Sequence, residues 1–282
     1  MYFFLKLLSK FISWLSIKSL DVTAEIFAIL AFDIFRIRRK LILKNLCHAF
    51  ENQKSLNELV AIGRKSFKNV ILTAFELLRS MHEDIAKSVT FDGRENIDAV
   101  LAKGQGCFVL CCHMGNWEAF ASFVGRKIAP VYVAVKKVGS DSSDRFVSEL
   151  RYHNRLFTLP RTKKGDAVRA IREALKRNEI IGFILDQARS GEPRLPFFGA
   201  DATTNTGLAA MARRFKTPVI PGFIKRVNFG EHHVTFWPEL NLAESDDQNA
   251  DILENTKTFN KIIEKIVLEC PEQYLWLHNR WK

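Results

Sequence analysis

The sequence predicts an α/β fold, with a mainly parallel central sheet flanked by helices and an N-terminal helical segment that associates with a membrane. Two patterns indicate this fold. Beyond residue 105, short apolar segments containing β-branched residues alternate with segments of helical period, as in sheets whose parallel strands are joined by helices. The first 80 residues show helical periodicity alone. We therefore predict membrane-associated helices over residues 1–40 and one globular domain over residues 41–282.

The first helix is predicted over residues 1–17, a strongly apolar stretch that Lys6 and Lys10 interrupt and Lys18 follows. No uncharged run reaches the ~18 residues that a spanning helix needs. Lysines beside apolar residues and Trp14 suit a helix that lies in the membrane interface and faces anionic headgroups. A helix that packs on the protein core is the alternative. A secretory signal is not predicted, because neither an uninterrupted apolar centre nor a small-residue cleavage site is evident.

Two further amphipathic helices are predicted before the sheet begins. The first has an apolar stripe at Leu20, Ala24, Phe27, Ala31 and Ile34. The basic patch at residues 36–40 follows it, either as a solvated face or as a second headgroup contact. The second is a long helix whose apolar residues step by three and four, namely Leu56, Val60, Gly63, Phe67, Val70, Ala74 and Leu78.

The alternating region predicts the strands and helices of the sheet. Strands are expected over residues 106–112, 131–135, 156–159, 180–185, 218–225 and 232–237, and helices over 116–126, 142–153, 166–177, 206–215 and 251–269. In such sheets the functional site lies beyond the carboxyl ends of the strands. His113 and Asp186 each follow a predicted strand, so we expect both at this edge of the sheet.

A histidine and a carboxylate flank the tight corner that follows the first of these strands. His113 lies where the strand ends, and Glu118 lies in the first turn of the next helix. Positions i and i+5 of a regular helix are about 140° apart, but the Gly115 corner lets Glu118 fold back beneath the imidazole. A carboxylate there fixes the tautomer and stabilises the imidazolium formed when the ring removes a proton. We therefore predict that His113 is a catalytic base oriented by Glu118; the alternative is a structural histidine at a strand end.

Four blocks of sequence, in order, resemble one family. Residues 113–118, His-Met-Gly-Asn-Trp-Glu, resemble the active-site box of the lipid A late acyltransferases, a branch of the lysophospholipid acyltransferase superfamily. Asp186-Gln187 and residues 195–199 and 203–207 resemble the family's Asp-Gln, Val-Pro-Phe-Phe-Gly and Ala-Thr-x-x-Gly blocks. The tail at residues 271–282 is similar to the family's ending, so the resemblance covers nearly the whole chain.

The resemblance implies an O-acyltransferase of lipopolysaccharide biosynthesis at the cytoplasmic face of the bacterial inner membrane, with residues 41–282 as its catalytic domain. His113 would deprotonate a hydroxyl of a lipid A precursor, and the alkoxide would attack the thioester of acyl-acyl carrier protein. The implied partners are acyl carrier protein, the glycolipid acceptor and a membrane surface with anionic lipids; no metal or organic cofactor is needed. Substrate contacts are predicted at Asn116, Arg161, Asp186, Gln187 and Arg189.

Two alternatives stay open on the sequence. An acyltransferase of the same chemistry could act on a lysophospholipid or another glycolipid with acyl-coenzyme A as donor, or a non-catalytic protein could keep the fold for membrane-surface binding. Arg189 and Arg194 depart from the glycine-rich loop often seen in the family between these blocks. Arg161 follows a predicted strand, where it is either a phosphate or thioester contact or part of a solvated loop.

Composition agrees with this prediction and disfavours other classes. The net charge of +11 favours acidic partners, such as phosphates, anionic headgroups or an acidic carrier protein. Zinc-finger spacing and an aromatic RNA-binding signature are both missing, so nucleic acid is not predicted as a partner. The five cysteines lie mostly in apolar segments and indicate a reducing environment. His232 and His233 are adjacent on a predicted strand and point to opposite faces, which makes a poor metal chelate.

Overall fold

The computed structural model describes residues 1–51, 53–135, 139–160 and 165–282. The strands in these ranges are β1 (Val89–Asp92), β2 (Cys107–Cys111), β3 (Val131–Val133), β4 (Leu156–Thr158), β5 (Ile180–Ile184), β6 (Arg194–Phe197), β7 (Ala200–Thr203), β8 (Val219–Asn228) and β9 (Glu231–Phe236). The helices are α1 (Tyr2–Trp14), α2 (Ile17–Ala28), α3 (Arg39–Phe50), α4 (Leu56–Arg79), α5 (Arg94–Leu101), α6 (Trp117–Lys127), α7 (Asp141–His153), α8 (Asp166–Lys176), α9 (Gly207–Phe215) and α10 (Gln248–Glu269). A π-helical segment, Ile29–Ile34, continues α2, and a 3₁₀ turn, Pro271–Gln273, follows α10.

The main sheet has the strand order β1-β9-β8-β2-β5-β3-β4. From β8 to β4 neighbouring strands pair in parallel, whereas β9 pairs antiparallel with β8 and carries β1 in parallel at the edge. The predicted mainly parallel sheet flanked by helices is therefore confirmed. Every strand and helix predicted beyond residue 105 forms, with bounds within three residues of those expected.

Four short elements were not predicted. β1 is a four-residue edge strand whose side chains alternate between half-buried and exposed, and α5 after it has eight residues. β6 and β7 form a separate antiparallel hairpin, in which β6 includes the start of the block at residues 195–199 and β7 ends at the first residue of the block at 203–207. Elements this short carry too little periodicity to separate them from loops, so their packing partners decide their structure.

The central strand β2 contributes to both layers of the core. Phe108 and Leu110 face the layer that contains α8, α9, α10 and the C-terminal tail, while Cys107, Val109 and Cys111 face the layer that contains α5 and α6. This division follows from the two-residue period of a strand, which sends successive side chains to opposite faces. All five residues of β2 are buried, so the strand end that carries His113 is held by packing on both sides.

The N-terminal helices pack on α4 through a stripe that differs from the predicted one. The stripe beyond Ala24 runs through Ala28 and Phe32, which are fully buried, whereas the predicted Phe27 and Ile34 are 48% and 61% exposed. The stripe already differs within α2, where Ala28 and not Phe27 is buried; in the π-helical segment that follows, the wider turn returns Phe32 to the face that packs on the core. The predicted boundary at residue 40 stays a prediction.

The two faces of α1 have different surroundings. Ser9 and Ile12 are buried against the neighbouring helix, where the Ser9 hydroxyl donates to the Leu78 carbonyl oxygen at 2.6 Å. The opposite face is apolar and exposed at Phe3, Phe4, Leu7, Phe11 and Trp14. Across the described ranges, no helix combines the length and apolar character that membrane crossing requires.

The long helix α4 forms as predicted but buries a polar face. Ser66, Asn69, Thr73 and Glu76 are buried, whereas Ala74 from the predicted apolar stripe is exposed. Their spacing of three or four residues places these four polar side chains on one side of the helix. Their partners come from distant parts of the chain, so the helix faces inward for a reason that apolar spacing could not indicate.

Glu76 is the centre of this buried polar network. Its carboxylate accepts hydrogen bonds from the Arg226 guanidinium, from the Asn116 amide at 2.6 Å and from the Gly230 backbone N–H at 2.8 Å, and His232 Nε2 lies 3.4 Å away. Burial by itself raises the pKa of Glu76, but the charges and hydrogen bonds of Arg226 and His232 outweigh it and lower the pKa to about 2. The carboxylate is therefore ionised inside the protein at neutral pH.

The low pKa of Glu76 predicts an acid-dependent loss of stability. The stabilisation from the ionised carboxylate is fully present above its ordinary pKa of 4.5 and is lost as the pH falls from there toward about 2. We expect Glu76→Gln to lower the free energy of unfolding by about 3 kcal/mol at neutral pH. The difference in the free energy of unfolding between the wild type and Glu76→Gln should become smaller below about pH 4.5. Urea unfolding at a series of pH values would measure it. Asp98→Asn, which breaks the exposed pair with Arg94, is the control and should cost under about 0.5 kcal/mol. A gap that stays constant on acidification would contradict the assignment.

Candidate active site

The corner between β2 and α6 requires glycine at position 115. Gly115 has φ 56°, and a Cβ atom on it would lie 2.4 Å from the Ile224 carbonyl oxygen. A side chain there is therefore excluded both by backbone conformation and by the approach of β8. The corner ends at Asn116, whose side-chain oxygen accepts hydrogen bonds from the backbone N–H groups of Glu118 and Ala119 and so caps α6.

The same corner is held from behind by α4 and the C-terminal tail. The Gly115 carbonyl oxygen accepts hydrogen bonds from Asn69 at 3.0 Å and from Thr73 at 3.1 Å, two members of the buried polar face of α4. The tail adds backbone hydrogen bonds, because Gly115 N–H donates to the Gln273 carbonyl and Leu275 N–H donates to the His113 carbonyl at 3.0 Å. The position of His113 therefore depends on three segments that are far apart in the sequence.

The carboxylate that contacts the imidazole is that of Asp186. Its Oδ1 lies 2.7 Å from His113 Nδ1, and its Oδ2 accepts a hydrogen bond from the His113 backbone N–H at 2.8 Å. Asp186 follows β5, which pairs with β2, so the predicted meeting of the two residues at one sheet edge is observed. The Asp186 side chain is 2% exposed and that of His113 17%, so the carboxylate lies behind the ring and the ring faces solvent.

Electrostatics keep the Asp186 carboxylate ionised, which is the state that its contacts with His113 need. Burial raises the pKa of Asp186, but its attraction to the protonated form of His113, the two hydrogen bonds from His113 and the charge of Arg280 outweigh burial and hold the pKa below its ordinary value. An ionised carboxylate can only accept hydrogen bonds, so the neutral imidazole carries its proton on Nδ1. Its Nε2 then carries no proton, and the lone pair of this nitrogen faces the cleft, as a general base requires.

Glu118 occupies a different position from the one predicted. Its carboxylate pairs with the Arg151 guanidinium of α7, with Arg151 Nη2 2.6 Å from Glu118 Oε1 and Arg151 Nε 3.1 Å from Glu118 Oε2. The orienting role that the sequence assigned to Glu118 is geometrically that of Asp186. Since α6 begins at Trp117, the helix directs Glu118 toward the neighbouring α7 instead of beneath the imidazole.

Asn116 also differs from its predicted role as a substrate contact. Its side chain is fully buried, its oxygen caps α6, and its nitrogen donates to Glu76 at 2.6 Å. These contacts use both ends of the amide, and they connect the active-site corner to the polar face of α4. The structure therefore makes Asn116 a connecting residue beneath the site.

A cleft of about 650 Å³ opens in front of the imidazole. Polar side chains at its walls include Gln187, whose amide nitrogen lies 3.5 Å from His113 Nε2, and Asn205. Arg189 lies at the rim, 64% exposed. Apolar residues supply another part of the wall, namely Trp117, Ala121, Val133, Ala134, Val135, Leu156, Ile184 and Ala188. The cleft thus joins a candidate base to a surface that suits a hydrocarbon chain.

Arg161 lies outside the described residues, so its predicted phosphate or thioester contact stays a prediction. Arg194, which was also noted in the sequence, bonds instead to backbone carbonyls of Lys282 and Asp201. His232 and His233 have separate partners, Glu76 and Asp92. Within the described ranges no cluster of three or more His, Cys, Asp or Glu side chains is arranged to hold a metal ion.

The cysteines near the site are inert groups of the core. Cys111 and Cys112 are buried at the end of β2, where burial raises the pKa of both thiols above its ordinary value. A thiol with a raised pKa stays protonated and is a poor nucleophile. Neither cysteine is therefore a candidate nucleophile, and His113 stays the candidate reactive group of the cleft.

Sequence reasoning missed Arg151 and Asn205. Arg151 is one of 42 lysines and arginines, and nothing in its spacing from Glu118 distinguishes it. Asn205 lies within a block that was quoted for the resemblance, so that block was a usable signal. The contact between Glu118 and Arg151 depends on how α6 and α7 pack, which the sequence does not record locally.

Comparison with known proteins identifies the family of the chain. Residues 2–282 match the family model of bacterial lipid A biosynthesis acyltransferases. The chain is 24% identical over 203 residues to the lipid A biosynthesis palmitoleoyltransferase of Escherichia coli K12, which covers 70% of this chain and 63% of that protein. It is 29% identical over 208 residues to a lipid A biosynthesis acyltransferase of Haemophilus influenzae, covering 68% and 59%, and 24% identical over 265 residues to the lipid A biosynthesis lauroyltransferase of E. coli K12, covering 90% and 82%. The chain thus spans less than two thirds of the length of the first two of these relatives. It belongs to the bacterial lipid A biosynthesis acyltransferase family.

Proposed function

We propose that this protein transfers a fatty acyl chain from the thioester of acyl-acyl carrier protein to a hydroxyl of a lipid A precursor, at a membrane surface. The observation that carries the proposal is the His113–Asp186 pair, with a buried carboxylate behind the imidazole and an open cleft in front of it. Membership of the lipid A biosynthesis acyltransferase family and the names of the relatives support the acyl transfer and its acceptor.

The proposed reaction is a direct attack of the acceptor on the thioester. His113 Nε2 removes the proton of the acceptor hydroxyl as its oxygen bonds to the thioester carbonyl carbon. The tetrahedral intermediate then breaks its carbon–sulfur bond, and the departing thiolate of the carrier protein takes the proton from the imidazolium. Asp186 stabilises the imidazolium between these steps. Gln187, whose amide nitrogen is 3.5 Å from Nε2, is the candidate donor to the oxyanion.

The two ends of the cleft suit the two parts of the substrates. Arg189 is exposed at the rim, where it can meet a phosphate of the acceptor without the cost of burying its charge. The apolar wall at Ala121, Val133 and Leu156 suits the acyl chain. The net charge of +11 favours both an acidic carrier protein and an anionic membrane surface.

The exposed apolar face of α1 supports attachment to a membrane surface, and we propose that this surface is the cytoplasmic side of the inner membrane. Lys10 lies over the Trp14 ring at 5.4 Å, next to this face, so a cation accompanies the apolar residues. Further exposed apolar side chains come from the following segment, namely Ile17, Val22, Ile26, Phe27, Ile29, Ile34, Phe35 and Ile37. A contiguous chain segment with this many exposed apolar residues is typical of a surface that water does not cover in the working protein.

His113→Asn and Asp186→Asn should each slow acyl transfer strongly while leaving a measurable residual rate, because the first removes the base and the second its orienting charge. General-base assistance is worth ~10²- to 10⁴-fold in rate. The measurement is transfer of a labelled acyl chain from acyl-acyl carrier protein to a lipid A precursor by purified protein, with acyl-coenzyme A as a parallel donor. His153→Asn, an exposed residue at the end of α7, is the control and should keep full activity. The same variants, returned to a strain that lacks the gene, should leave lipid A one acyl chain short in its mass spectrum. A folded His113→Asn protein with near-normal turnover would overturn the mechanism.

Glu118 and Arg151 should behave as one unit that is separate from the imidazole. Their side chains are 6% and 13% exposed, so removing one partner leaves the other charge uncompensated. We expect Glu118→Gln and Arg151→Met each to lower the free energy of unfolding by roughly 3 kcal/mol, and the double variant to recover part of this loss. The pH dependence of the rate should keep its shape in Glu118→Gln and change in a residually active Asp186 variant. If Glu118→Gln alters the pH profile in the way that Asp186→Asn does, Glu118 acts on the imidazole after all.

Replacing Phe3 and Leu7 by Ser should release the protein from liposomes that contain anionic lipid. Burying one such side chain contributes about 1.5–3 kcal/mol, so the double substitution should weaken binding by at least about tenfold. Leu268→Ser, on the exposed side of α10, is the matched control and should bind as the wild type does. Sedimentation with vesicles measures both. Equal binding of the double variant and the wild type would assign the apolar face of α1 to another contact.

A further inference from the structure

We propose that His278, in the C-terminal tail, is a positioning residue for the Asp186 carboxylate, and that it acts as a neutral imidazole that accepts the backbone N–H of Ala188. The inference rests on the proposed function, in which Asp186 orients the base. It adds to that function a requirement on a residue that touches neither substrate.

The hydrogen bond joins the tail to the segment that carries the carboxylate. His278 Nε2 lies 3.0 Å from the Ala188 backbone nitrogen, which donates. Ala188 is 5% exposed and comes two residues after Asp186 and one after Gln187. Residues 186–188 therefore supply the orienting carboxylate, the candidate oxyanion donor and a fixed backbone donor in succession. Loss of the acceptor would leave a buried N–H unpaired, and the segment would have to move to satisfy it.

The tail around His278 is itself rigidly held. Asn45 donates to the backbone carbonyls of Trp276 at 2.9 Å and of His278 at 2.7 Å. Two residues further on, the Arg280 guanidinium is 2% exposed and donates to the Thr203 carbonyl and the Thr204 hydroxyl. The imidazole is thus presented to Ala188 from a fixed backbone, so it can hold the Asp186 segment in place.

The geometry demands the unprotonated ring. An imidazolium carries a proton on Nε2, which would point at the Ala188 N–H and leave no acceptor there. The charged groups that face His278 are Asp186, which favours the protonated ring, and Arg280, His113 and Lys282, which disfavour it. Burial acts first among the causes, and the pKa of His278 is lowered from its ordinary value. Both burial and the surrounding cations therefore keep the acceptor available at neutral pH.

Replacing His278 by Gln or by Asn tests whether the hydrogen-bond acceptor at this position, and not merely the presence of a polar side chain, is required. The Gln oxygen is as many bonds from Cα as His Nε2, whereas the Asn oxygen is one bond shorter. We expect His278→Gln to keep kcat within about threefold of the wild type and His278→Asn to lower it by about tenfold to a hundredfold, because small misplacements of catalytic groups have effects of this size. The apparent KM for the donor should change little in either. His153→Asn, an exposed histidine outside the site, controls for loss of a histidine.

The protonation state of His278 can also be tested by measurements that do not depend on acyl-transfer activity. The stabilisation from the neutral ring is present above the ordinary histidine pKa of ~6.5 and is lost as the pH falls below it. Gln cannot titrate, so the stability advantage of the wild type over His278→Gln should shrink between about pH 7.5 and 5.5. In ¹⁵N spectra of the full-length wild type, the His278 ring should carry its proton on Nδ1 at neutral pH.

The outcomes separate this proposal from the proposed function. An inactive wild type would reject the acyl transfer, and the ¹⁵N spectrum together with the pH dependence of stability would still decide the state of His278. Equal impairment of the folded Gln and Asn variants would overturn the acceptor role, as would wild-type turnover of the folded Asn variant. A proton on Nε2 at neutral pH would also overturn it. If His278→Asn does not fold, the ¹⁵N spectrum of the wild type and the comparison of the wild type with His278→Gln are sufficient to test the proposal.

Discussion

The buried polar face of α4 is the constraint on which the geometry of the site depends. Asn69, Thr73 and Glu76 place two neutral groups and one ionised carboxylate inside the protein, where each needs partners. Their partners are the Gly115 carbonyl, the Asn116 amide and the Arg226 guanidinium. Moving the corner between β2 and α6 would leave several of these groups unpaired at once, and each would cost about 1–3 kcal/mol. The corner is thereby fixed by requirements for hydrogen bonding as well as by packing.

The candidate catalytic pair is built on that fixed corner from two neighbouring parallel strands. β2 ends before His113 and β5 ends before Asp186, and their pairing brings the two residues together at the carboxyl edge of the sheet. Asp186 contacts both the backbone and the ring of His113, so one carboxylate sets the position, the tautomer and the charge environment of the base. The tail completes the arrangement by pairing its backbone with the corner on one side and meeting Ala188 on the other.

The arginine side chains around the site either form stabilising ion pairs or lie at an open surface. Arg151 and Arg226 are each paired with a buried carboxylate, whereas Arg189 is exposed at the cleft rim, where its Nη1 lies 3.9 Å from Glu192 Oε1. The apolar residues follow a similar division, with Ile12 in the core and Phe3 and Leu7 on the outer face of α1. The molecule therefore presents an open cleft beside the candidate base and a separate exposed apolar surface on α1.

Much of the fold could be predicted from the sequence, because strand and helix periods are recorded in neighbouring residues. The strands and helices beyond residue 105 formed within three residues of their expected bounds, and His113 and Asp186 met at the predicted edge. The short elements β1, α5 and the β6–β7 hairpin could not be predicted, since their few residues adopt structure only through their partners. The predicted α2 stripe was wrong from Phe27 onward, and in the π-helical segment a local change of helical period placed Phe32 inward instead of Ile34.

The sequence by itself identified His113 as the candidate base and determined the edge of the sheet at which it lies. Only the tertiary structure decided which carboxylate serves it, since Glu118 is five residues away in the chain yet contacts Arg151, while Asp186 is 73 residues away and contacts the ring. It also decided that the polar face of α4 turns inward and that Asn116 links this face to the corner. The physical reason is that hydrogen bonds and ion pairs depend on distances of about 3 Å between atoms of distant segments. Local periodicity specifies which elements form, and the packing of those elements selects which charges meet.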